Sequence, residues 1–253
     1  MKRTAWAMLM MVISFLLGTI IAVGSLTSMG GRLDMARLTA TPLSVSTVLV
    51  SCLDPPAILL EIAAIILLLT DSRQVGRAHH RLVWIATIFF VVWALANLVV
   101  FLPLAFLGMQ RGSVSMVKAA QMVKAGAAVL QYSIPFLLAF SLTRRAPRVL
   151  LWLALALTVV GNLAVVTLPI AGIQLRAVQL SGQILYVPQF DVDYTAGPYP
   201  ILLASGYMGG ALYMLAYALV AWQTWKEVSI RAKQATQSVC TADAISAALR
   251  GRG

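Results

Sequence analysis

The chain has 253 residues, of which 60% are hydrophobic and 11% charged, with a mean hydropathy of +0.89. Soluble domains run at about a quarter charged, so this composition excludes one and leaves no room for a soluble domain of useful size. A net charge of +11 here is a topology signal rather than a nucleic-acid signature, because Lys and Arg gather at the ends of apolar runs.

Hydropathy predicts an all-α polytopic membrane protein, a bundle of six transmembrane helices at residues 4–27, 44–70, 83–108, 117–142, 149–171 and 200–225. Residues 1–225 form the membrane domain, and 226–253 form a basic tail in which "TADAISAALR" predicts a short helix capped by Thr241. The first segment also reads as a signal peptide ending near Gly24, but its apolar length favours an uncleaved span. One set of connections carries thirteen Lys and Arg and the other five, which predicts a cell-membrane protein with cytoplasmic N- and C-termini. Cys52 and Cys240 are too few for a disulfide framework.

In the second segment, "SCLDPPAILLEIAAIILLLT" (51–70) holds two carboxylates and two prolines. A helix that starts at Pro55 or Pro56, with Asp54 as its N-cap, satisfies the local rules. It leaves 42–53 either as a separate half-helix or as part of one long helix kinked at the prolines. Glu61 lies seven residues past Asp54 on the same helix face. Intramembrane carboxylates are costly and face partners or polar cavities, so Lys124 in the fourth segment is the predicted partner. Such a pair either fixes helix packing or marks a carboxylate that takes a proton or cation during transport.

Asn97, Gln131 and Asn162 place one amide in each of the third, fourth and fifth segments, for cross-helix hydrogen bonds or a polar path to Glu61. Pro103, Pro135 and Pro169 interrupt the same spans. The outer connection 172–199 alternates apolar and polar residues about Ser181-Gly182, which predicts a β-hairpin followed by a turn at "TAGPYP". Ser14, Gly18 and Ala22 recur at four-residue spacing, and Gly206 and Gly210 form a GxxxG with Gly209 beside them, so these are predicted packing faces. Tyr207, Tyr213 and Tyr217 are predicted packing aromatics of the last span.

No HExxH, CxxC or GxxxxGK[ST] motif occurs, and His79 and His80, the two histidines, fall in a basic connection where solvation is expected. No catalytic residue, metal site or cofactor is predicted, so the chain is not read as an enzyme. Two functions remain: a transporter or permease with a small polar site inside the bundle, or a non-catalytic anchor or scaffold subunit of a larger membrane complex. The expected partners are the lipid bilayer and either further copies of the chain or other membrane subunits, with no nucleic acid.

Overall fold

A computed structural model describes residues 2–28, 54–143, 145–180, 183–189 and 195–250. The segment 42–53, on which the question of a broken or kinked second span turns, lies outside them.

The elements are α1 (Lys2–Ser28), α2 (Asp54–Val75), α3 (Arg77–Leu95), a π-helical turn (Ala96–Phe101), α4 (Leu102–Arg111), α5 (Val114–Phe140), α6 (Arg145–Thr167), a 3-10 turn (Leu168–Ile170), β1 (Gln174–Leu180), β2 (Gln183–Gln189) and α7 (Tyr199–Arg250). Helices are the natural state of such apolar runs, because each backbone N–H then finds its acceptor within the segment. Among the described residues, five helical stretches are long and apolar enough to cross a membrane: Lys2–Ile21, Arg77–Arg111, Val114–Phe140, Arg148–Ile170 and Tyr199–Ile230. α2 is of similar length but carries Glu61, Asp71 and Arg73 along it.

Neighbouring helices in sequence are neighbours in space. α1 packs on α2, α2 on α3, α3 on α5, α5 on α6 and α6 on α7, and α7 returns to α1. The result is a closed ring. One end of the ring carries the basic residues Arg3, Arg73, Arg77, Arg148 and Lys226; the other carries the hairpin. Met8, Met11, Leu68, Val83, Leu138, Leu151, Tyr217 and Val220 are buried and fill the basic-end half of the ring with an apolar core.

Local chemistry explains the joints. α2 and α3 are joined by Gly76 alone, at φ 148, a conformation that other residues rarely adopt. There is consequently no loop for the histidines to occupy. His79 is buried with Nδ1 2.7 Å from Ser141 Oγ, and His80 Nδ1 lies 2.7 Å from Ser72 Oγ, which corrects the expectation of two solvated side chains. Pro103 cannot donate a backbone hydrogen bond, and the helix before it widens into the π turn. Pro135 lies inside α5 and Pro169 in the 3-10 turn. Ser113 caps α5 by accepting from the Met116 N–H at 3.4 Å.

β1 and β2 pair antiparallel, from Gln174 opposite Gln189 to Leu180 opposite Gln183, in the register expected about residues 181–182. The hairpin docks on the α4–α5 corner. There Lys118 Nζ donates to the Ala171 carbonyl at 2.8 Å, and Val117, Ile170 and Ile173 form a small buried cluster. The turn at Thr195–Pro198 includes Gly197 at φ 61. Beyond Lys226 the backbone of α7 continues as helix to Arg250, so Thr241 lies within a helix instead of opening one.

Candidate functional site

Above the apolar core the described helices leave a hollow between them. A cavity of about 510 Å³ lies in its middle, and α1, α2, α3, α5, α6 and α7 all contribute to its wall. Glu61 is about 15 Å along α2 from Asp71 at the basic end, which sets the cavity near mid-height of the bundle.

Three of the polar residues singled out in the sequence meet here: Glu61 from α2, Gln131 from α5 and Asn162 from α6. Ser14 of α1 holds the carboxylate in place, its hydroxyl donating to Glu61 Oε1 at 3.1 Å and to the Ala57 carbonyl at 3.1 Å. Phe15, Trp93, Tyr132, Tyr207 and Tyr213 supply aromatic surface. The Phe15 and Tyr213 rings stack with centroids 5.6 Å apart and planes 5° from parallel.

Two tyrosines span the space between α7 and α5. Tyr213 Oη donates to the Tyr132 carbonyl at 3.1 Å, and Tyr217 Oη to the Pro135 carbonyl at 2.6 Å. Both are buried packing aromatics, as expected; Tyr213 also lines the cavity, and Tyr217 lies one turn nearer the basic end.

Thr158 stands out among the hydroxyls. Those of Thr19, Thr87, Ser133, Thr167, Ser205 and Thr224 donate to carbonyls of the preceding turn of their own helix. The Thr158 hydroxyl is buried in the cavity wall with no hydrogen-bond partner among the described residues.

The structure does not bring Lys124 to Glu61. α3 stands between α2 and α5 in the ring, and Lys124 is exposed with Nζ 5.3 Å from the centre of the Phe101 ring. Asn97 is also outside the cavity wall; its Nδ2 donates to the Trp93 carbonyl one turn back, at 2.8 Å. Asp54 opens α2 at its backbone, and its side chain is outside the described residues.

The glycines divide by role. A Cβ on Gly161 would meet Ser205 Oγ, the Gly206 N at 2.6 Å and the Leu202 carbonyl at 2.7 Å; on Gly206 it would meet Asn162 Oδ1 at 2.8 Å. A Cβ on Gly209 would meet Thr158 Oγ1 and the Thr158 N at 2.7 Å. Gly161 and Gly209 let α6 and α7 touch backbone to backbone, and Gly206 makes room for the Asn162 side chain. Gly18 and Gly210 do something else: they line the cavity, and an added Cβ would find none of the described residues within 4 Å.

Sequence reading passed over the tryptophans. Trp6, Trp84, Trp152, Trp222 and Trp225 are 49 to 72% exposed, and each lies within four residues of Arg3, Arg81, Arg148 or Lys226. The sixth, Trp93, lines the cavity. Tryptophan next to basic residues at helix ends is the signature of an aromatic belt, so the signal was present in the spacing alone.

No protein-family model, no curated protein and no solved structure matches this chain.

Proposed function

We propose that the protein is a six-span cell-membrane protein of transporter or permease type, and that the cavity around Glu61 holds a small solute. The observation that carries this reading is the cavity itself: a hollow of ligand size at mid-height, walled by six helices and furnished with a carboxylate and two amides. α2 is the sixth span in this reading. The carboxylates that weaken its hydropathy are accommodated inside the bundle, Glu61 by Ser14 and Asp71 by the Thr4 hydroxyl, which donates to it at 2.6 Å.

The thirteen basic residues favour a cytoplasmic basic end with the hairpin outside, and the tryptophans support a membrane interface at that end. The scaffold reading draws on the small-residue stripes and on the lack of any catalytic constellation. Gly161, Gly206 and Gly209 are used between α6 and α7 of the same chain, which favours the solute-handling reading.

The test is the mass of the native particle extracted from its own membrane in mild detergent. A monomer or small homo-oligomer of 27.2 kDa chains is expected. A particle that contains other polypeptides in fixed ratio retires the transporter reading in favour of a complex subunit.

A further inference from the structure

Building on the solute-cavity reading, we infer that the occupant is a bulky organic monocation, an amine or quaternary onium with apolar substituents. Three features of the cavity converge on that class.

The first is charge. Glu61 is the one ionisable acid in the described wall, and no Lys, Arg or His accompanies it. A carboxylate held at mid-membrane without a counter-charge is costly, and a cationic ligand removes that cost. The basic residue nearest in the sequence reading, Lys124, is engaged elsewhere over Phe101.

The second is surface. Phe15, Trp93, Tyr207 and Tyr213 offer ring faces or edges around the same space. Aromatic rings attract a cation through their negative faces, and more strongly when water is excluded. They also accept apolar substituents, which a strongly hydrated anion would not supply.

The third is size. A bare Ca²⁺ or Mg²⁺ takes six or more oxygen ligands and zinc four, and no group of three or more His, Cys, Asp or Glu that could hold a metal is gathered among the described residues. A hollow of about 510 Å³ suits a molecule of drug-like dimensions instead.

The experiment uses the full chain purified in detergent and two ions of matched shape and opposite charge, tetraphenylphosphonium and tetraphenylborate, with binding followed by calorimetry. Saturable binding of the phosphonium is expected, weakened roughly tenfold or more by Glu61→Gln and by Trp93→Leu, and left unchanged by Lys124→Gln. Trp93→Leu guards against a folding defect in the carboxylate variant, since it leaves Ser14 and Glu61 in place. Equal or tighter binding of the borate, or phosphonium binding indifferent to Glu61→Gln, overturns the cation class. If the borate binds and Gly210→Leu abolishes that binding, the cavity remains a solute site and only the ligand class falls. If neither ion binds saturably, the cation inference is overturned, and the particle mass decides the transporter reading separately.

Discussion

The Ser14 hydroxyl of α1 sits 3.1 Å from Glu61 Oε1 of α2 and 3.1 Å from the Ala57 carbonyl one turn earlier on that helix. One hydroxyl proton therefore serves two acceptors, and the pair fixes both the α1–α2 contact and the position of the carboxylate. Ser14→Ala is expected to lower stability by about 1 kcal/mol. Glu61→Gln, which retains an acceptor oxygen, is expected to cost less. Thermal unfolding in detergent ranks the two, and the reverse order contradicts this account of the contact.

Substitution of the glycines separates packing from cavity. Gly161→Ala forces a Cβ onto the Gly206 N and the Leu202 carbonyl, so a loss of about 1–3 kcal/mol is expected. Gly210→Ala meets none of the described residues within 4 Å and exchanges Gly for a better helix former, so stability is expected to stay level or rise by up to about 1 kcal/mol. The same unfolding assay reads both.

Tyr217 is fully buried and ties α7 to α5 through the Pro135 carbonyl at 2.6 Å. Tyr217→Phe keeps the ring against Phe15 and removes only the donor. The expected cost is about 1 kcal/mol, seen as a lower melting temperature with an unchanged elution volume.

Orientation is open to thiol labelling in a background with Cys52 and Cys240 replaced. Gln179→Cys on the exposed face of β1 is expected to react with an impermeant maleimide in intact cells. Ser229→Cys, at the exposed basic end of α7, is expected to react only after permeabilisation. Labelling of both from one side contradicts an odd number of crossings between them.

Much of the bundle was legible because its signals are local. Apolar runs set the helices, Ser181-Gly182 set the hairpin register, and Pro103 and Pro169 fell at the irregular turns. Glu61, Gln131 and Asn162 line one cavity, an arrangement the sequence offered for the amides only beside cross-helix hydrogen bonding. Ring order was not legible. Glu61 and Lys124 have similar depth by residue count, but depth says nothing of which helix stands between them, and α3 does. Lys124 also lies two turns from Gln131 on nearly the same face, about 10 Å along the helix, where Phe101 of the π turn receives it. The GxxxG of Gly206 and Gly210 was half right for a related reason. Spacing finds a helix face, while the partner backbone decides which glycine is used, and here Gly161 and Gly209 take the contact that Gly210 does not. His79 was misplaced because a one-residue joint at Gly76 is invisible to a charge count.

In the proposed function the hollow beside Glu61 admits a solute from water. Gly210→Cys, in the cysteine-replaced background, tests it through its rate of reaction with a small water-soluble thiosulfonate, with Ala216→Cys in the closed core as the reference. Rapid modification at position 210 and none at 216 is the expected result. Equal inertness at both positions contradicts it, leaving a sealed void in place of a binding site.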